Sequence, residues 1–204
     1  MTAKNPQIYY PRARIDNMTD GIYSVAMTLL VLDVRLPDNF HPADASQLLQ
    51  GLLDMWPKVL PYVLSFIVLG LRWIAGVQLR SKAELLGGAY IRWWLLYLLL
   101  ITCVPFTTIL VGRFGVFAPA IWVYAGNTAL IAIVCWRLMQ LTPEIENEHH
   151  VLGRKISLLL LLISALLCIG WSFISPQHAL WALLLNLIAP VMMRRAAVSK
   201  VNSH

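Results

Sequence analysis

The sequence predicts an all-α integral membrane protein, a single domain over residues 1–204 with six transmembrane helices. Three observations carry that prediction. Hydrophobic residues make up 59% of the chain and the mean hydropathy is +0.68. Charged residues are only 13%, against roughly 25% in an ordinary soluble domain. Apolar runs of about 20 residues, enough helix to cross a bilayer, recur along the chain.

Taken in order, the first span covers about residues 15–36 and the second about 56–78. The third covers 89–111 and the fourth 117–141. The fifth, 156–175, and the sixth, 177–193, read as a tight helical hairpin turning at Ser175-Pro176-Gln177. No stretch between spans is long enough for a soluble domain, the longest being about residues 37–55. The N-terminus does not read as a cleavable signal peptide, because acidic residues interrupt the place of its apolar segment.

The formal charge of +6 has its place in this topology. Lys4, Arg12, Arg14, Arg80, Lys82, Arg137, Arg154, Lys155, Arg194, Arg195 and Lys200 fall on one side of the expected bundle. Arg35, Lys58 and Arg113 fall on the other. Lys and Arg accumulate in cytoplasmic loops, so both termini are expected in the cytoplasm, as an even number of spans requires. Nucleic acid is not an expected partner, since no basic stripe with interleaved aromatics stands outside the spans. Trp56, Trp93, Trp94, Trp122 and Trp171 lie near span ends, as an interfacial aromatic belt would.

Cys103, Cys135 and Cys168 each sit in a different apolar run. An odd number so placed argues for small apolar side chains rather than a disulfide framework or metal site. Glu144, Glu146, Glu148, His149 and His150 cluster in one loop without a metal-ligand spacing, and read as solvated. His41 and His178 read the same way, and Asn127 and Asn186 as hydrogen-bonding across helices. No nucleophile elbow, phosphate loop or carboxylate pair suggests catalysis, so no enzyme activity, metal or cofactor is expected.

The first span is the unusual one. Only Gly21 to Leu32 is free of charge, roughly 18 Å of helix against a hydrocarbon core of about 30 Å. Asp20 bounds it at one end and Asp33 at the other. Such a helix faces lipid poorly and suits the inside of a bundle or a water-filled axis. Asp20, Ser24 and Thr28 recur every four residues along one face, and Val25, Leu29 and Leu32 form an apolar stripe beside them. Hydroxyls next to an aliphatic constriction suit an ion pathway. Small residues that let helices pack closely would give the same spacing.

Arg14-Ile15-Asp16-Asn17-Met18-Thr19-Asp20 resembles the R-x-x-x-F-S-D signature of the transmembrane protein 175 family of potassium channels. The likeness continues through Ala26-Met27-Thr28-Leu29-Leu30-Val31-Leu32-Asp33-Val34-Arg35-Leu36-Pro37, and Val104-Pro105-Phe106-Thr107 in the third span resembles it too. The resemblance implies a bacterial six-helix unit in the plasma membrane, assembled as a homo-tetramer whose first helices surround a pore for potassium ions. A T-V-G-Y-G filter is absent from that family and from this sequence. By position, Val25 would be the main constriction, with Leu29 and Leu32 as further apolar layers towards the outside. Ser24 and Thr28 would take the hydroxyl positions linked to potassium preference. Arg14, Met18, Thr19 and Asp20 would hold the cytoplasmic end of the helix in place.

Two departures stand out. Met18 and Thr19 replace the Phe and Ser of the signature. The end of the second span, Arg72-Trp73-Ile74-Ala75-Gly76-Val77-Gln78, lacks the histidine that family members often place after the tryptophan. Arg72, Gln78 or Glu84 is then expected to complete the network around Arg14 and Asp20. The alternative function is a secondary transporter or proton-coupled carrier using Asp20. Carriers of that kind often show inverted repeats and broken helix pairs, and the two halves here show no convincing repeat.

Overall fold

The computed structural model describes residues 9–37, 39–78, 84–142 and 148–175. Among these, β1 (Tyr9–Pro11) leads directly into α1 (Arg12–Leu29), which tightens into a 3₁₀ turn over Leu30–Asp33. The helix α2 (Ala45–Leu53) precedes α3 (Trp56–Gln78). Then come β2 (Leu85–Gly87), α4 (Gly88–Thr102), α5 (Val104–Phe114), α6 (Ala118–Leu141) and α7 (Glu148–Ser172). The sixth expected span, with His178 and Asn186, lies outside the described residues, as do residues 143–147 of the acidic-histidine loop.

Among the described residues, four stretches are long and apolar enough to cross a membrane: Val59–Val77, Gly88–Phe114, Ala118–Leu141 and Val151–Ser172. They correspond to the second through fifth expected spans. Charge keeps α1 out of that set, with Arg12, Arg14, Asp16 and Asp20 all in its first half. The third expected span is two helices rather than one. Pro105 has no N–H to give to the carbonyl of Ile101, so the helix breaks at Cys103 and resumes at once, with the Thr107 N–H bonding to the Cys103 carbonyl at 3.0 Å.

Packing is organised around α6, which lies against α4, α5 and α7. Its contact with α7 is close because the facing side chains are small: Ala125, Ser164, Ala165 and Cys168 are fully buried. The helix α1 rests on α3, α4 and α5. Its buried side is Ile15, Tyr23, Ala26 and Leu30, joined in one core with Tyr97, Leu98 and Ile101 of α4 and Ile131 and Cys135 of α6. All three cysteines are free thiols. Asn127 bonds from α6 to the Leu100 carbonyl of α4 at 3.2 Å, the cross-helix role its position suggests.

Two small elements were not anticipated from the sequence. Tyr9, Tyr10 and Pro11 pair antiparallel with Gly87, Leu86 and Leu85, and the Arg12 N–H extends the ladder to the Glu84 carbonyl at 2.9 Å. The start of α2 is capped by Asp44, whose carboxylate accepts the Gln47 N–H at 2.8 Å and the Ser46 hydroxyl at 2.7 Å. These bonds, the Gln47 N–H foremost, hold the Asp44 carboxyl below its ordinary range. The tip of the Phe40 ring packs against α2 at Gly51, where any β-carbon would overlap it.

Candidate functional site

The two sides of α1 differ sharply. Ile15, Tyr23, Ala26 and Leu30 face the bundle, and Arg14, Met18, Gly21, Val25, Thr28 and Leu32 follow one another at helical spacing on the opposite, exposed side. Val25 is 55% exposed and Leu32 63%, and Leu29 is exposed beside them. Ser24 and Thr28 lie on the same side. Each hydroxyl donates back into its own helix, Ser24 to the Asp20 carbonyl and Thr28 to the Val25 carbonyl, both at 2.8 Å. The oxygen of each keeps acceptor capacity directed away from the helix. The hydroxyl row and the apolar stripe thus share one face that no part of the same chain covers among the described residues.

The signature residues divide between the two sides. Thr19 faces inward, donating to the Ile15 carbonyl at 2.8 Å and accepting the Trp94 indole N–H at 2.9 Å. Trp94 is therefore buried within the bundle. Asp20 accepts the Trp73 indole N–H at 2.7 Å. Neither Arg72 nor Glu84 makes that connection: Glu84 offers only its backbone carbonyl to Arg12. The link between the first and second spans runs through the tryptophan of Arg72-Trp73, and Gly76 and Val77 line a cavity beyond it. Arg14 and Met18 are exposed.

Behind this layer the Tyr23 and Tyr97 hydroxyls bond to each other, tying α1 to α4. Deeper still, Thr108 donates to the Ser65 hydroxyl at 2.8 Å, and Ser65 pairs with the Tyr124 hydroxyl at 3.2 Å, joining α5, α3 and α6. Sequence reasoning passed over these groups. The available signal was chemical: a Tyr or Trp inside an apolar span has a polar tip that must find a partner.

The Trp73–Asp20 bond carries a direct expectation. Trp73→Phe keeps an aromatic ring, though a smaller one, but loses the N–H, and should lower the thermal midpoint in detergent by an amount equivalent to at least roughly 1 kcal/mol. Asp20→Asn keeps an acceptor and should cost less. An unchanged midpoint in Trp73→Phe would remove this bond from the account of how α1 is held.

The comparisons with known proteins bear on the same region. Residues 14–105 match the family model described as endosomal/lysosomal potassium channel TMEM175. A protein of Chamaesiphon minutus named a potassium channel is 34% identical over 128 residues, 61% of this chain and 63% of that one. A Streptomyces collinus protein, also named a potassium channel, is 31% identical over 101 residues, 50% of this chain and 48% of its own length. The matched stretches thus span less than two thirds of either relative. The crystal structure of a lysosomal potassium-selective channel TMEM175 homolog from Chamaesiphon minutus superposes with a TM-score of 0.67 at 26% identity, over 89% of this chain and 97% of that one. The chain therefore resembles the TMEM175 family of potassium channels, in sequence over residues 14–105 and in fold over nearly its whole length.

Proposed function

We propose that this chain forms a potassium-permeable cation channel, in which four copies set their α1 helices around a shared axis. The observation that carries the reading is the exposed face of α1, where Val25, Leu29 and Leu32 stand beside Ser24 and Thr28 with no cover from their own chain. One helix cannot enclose a pathway, and a cyclic arrangement gives every copy of this face the same environment. Val25 is the main constriction in this reading, gating by dewetting, and Leu29 and Leu32 are further apolar rings. Ser24 and Thr28 present oxygens that replace part of a hydration shell, in place of a T-V-G-Y-G filter. Thr19 and Asp20, through Trp94 and Trp73, anchor the near end of the helix within the chain, and Arg14 and Met18 hold it against a neighbouring copy.

The transported ion is potassium, and no cofactor or catalytic step is involved. The setting is the plasma membrane of a bacterium, with the N-terminal end of α1 on the cytoplasmic side. The carrier reading loses support at Asp20, whose carboxylate is engaged by the Trp73 indole.

The test is the reversal potential of the reconstituted protein in a planar bilayer, with potassium on one side and sodium on the other. Reversal near the potassium equilibrium value is expected. Saturating flux without single-channel steps would favour the carrier instead. Thr28→Val should move the reversal potential towards zero, because it removes the hydroxyl while keeping the side chain's shape; an unmoved value would take Thr28 out of the selective layer.

A further inference from the structure

Conduction along the exposed face of α1 leaves a second polar region unused. A cavity of about 440 Å³ opens between α1, α3, α4, α6 and the start of α7. Its size falls among small-molecule sites, roughly 300–1,000 Å³. Arg72 enters its wall from α3 and Arg154 from α7. The Nε and Nη1 atoms of Arg72 are buried without a hydrogen-bond partner. Arg154 reaches the Cys135 Sγ at 3.9 Å, and a thiol is only a weak acceptor. Buried polar atoms are almost always bonded, and a charge inside a membrane bundle is paired or functional.

The acids lining the cavity do not answer these two cations. Asp16 is paired with Arg12 at 3.3 Å, and Asp20 accepts the Trp73 N–H at 2.7 Å. Setting the Arg12–Asp16 pair aside, two guanidiniums stand against one carboxylate, which leaves a net positive charge. Ile15, Leu138 and Met139 supply an apolar wall beside it. A planar guanidinium offers parallel N–H groups that match the oxygens of a phosphate. Basic pockets between transmembrane helices at one membrane face take phosphorylated headgroups.

We infer that this cavity binds a phosphate group, with the incompletely bonded guanidinium of Arg72 as its principal donor and Arg154 as a second cation. The phosphate can be the phosphodiester of an anionic lipid or a free phosphate ion. The inference does not depend on conduction, since the cavity lies on the bundle side of α1.

The test is the thermal midpoint of the full chain in phosphatidylcholine nanodiscs, titrated with dioctanoyl phosphatidylglycerol, dioctanoyl phosphatidylcholine or inorganic phosphate. A saturable rise of several degrees is expected with phosphatidylglycerol, and none with phosphatidylcholine. Inorganic phosphate alone giving the same rise identifies a free-ion site; a rise with the lipid only identifies a headgroup site. Arg72→Gln and Arg154→Gln should each abolish the rise, and Arg137→Gln, on the exposed side of α6, should keep it. Without added phosphate, Arg72→Gln should not lower the midpoint, because it removes an unanswered charge; an arginine with a purely structural role would lower it. Should Arg72→Gln fail to fold, Arg72→Lys, which keeps the charge without the fork, should bind phosphatidylglycerol at least several-fold more weakly. No rise in the parent protein, or an equal rise in the Arg72 and Arg154 variants, overturns the inference.

Discussion

Val25→Ser is expected to raise basal potassium conductance on the order of tenfold. In the tetrameric reading a valine ring at the narrowest point excludes water, so an ion must shed its hydration without compensation there. Serine at the same position narrows nothing and offers an oxygen. Lowering a barrier by about 1.4 kcal/mol already gives a tenfold rate, a small demand on four substituted side chains. Val25 is open to solvent in the single chain, so the change should leave the fold of each subunit intact. Single-channel recording of the reconstituted variant tests this directly. Unaltered open probability and unitary current would remove Val25 from the permeation path, and the exposed face of α1 would need another occupant.

Tyr97→Ala is expected to have the largest effect on stability, a loss of about 3–5 kcal/mol. Tyr97 is buried where α1, α4 and α6 meet, and its hydroxyl bonds to that of Tyr23. Truncation opens a cavity in the main core and leaves the Tyr23 hydroxyl buried without its partner. Tyr97→Phe separates the two contributions: the ring stays, and only the orphaned hydroxyl counts, about 1–3 kcal/mol. Denaturant titration in detergent micelles measures both. Equal losses for the two variants would mean that the hydrogen bond, not ring packing, holds α1 against α4.

The large helices were legible because hydropathy and length are enough to mark a span. The second span coincides with α3 at both ends, and the fourth lies within a residue of α6. The third was read as one helix because the residues on both sides of Cys103 are equally apolar, and the break comes from one missing N–H at Pro105. The helix α2 escaped notice because nine residues, with Ser46, Gln47 and Gln50 among them, are too few to cross a bilayer. Its signal was local: Asp44 followed three residues later by Gln47, whose side chain accepts the Ala43 N–H at 2.9 Å, is close to a capping box. The strand pair joins segments more than seventy residues apart through three residues each, too short for any periodicity to show.

The candidate site was legible in part, for a similar reason. The spacing of Ser24, Val25, Thr28, Leu29 and Leu32 puts them on one side of a helix, and the structure leaves that side uncovered. The partner of Asp20 was not legible. The sequence offered charged and amide candidates, and the bond went to an indole N–H instead. Charge draws attention along a sequence, yet the donor that meets Asp20, in an exposed position, is the neutral indole N–H of Trp73.

The β1–β2 pair has a mechanical consequence. It fastens the first turn of α1 to the chain leading into α4, and the Arg12–Glu84 bond continues the fastening onto the helix itself. The helix is thus clamped at one end, while its other end passes into the 3₁₀ turn over Leu30–Asp33, which packs on α3 and α5. Sliding along its axis would strip the clamp, whereas tilting pivots about it. The height of Ser24, Val25 and Thr28 along the helix axis is therefore set from the Arg12 end.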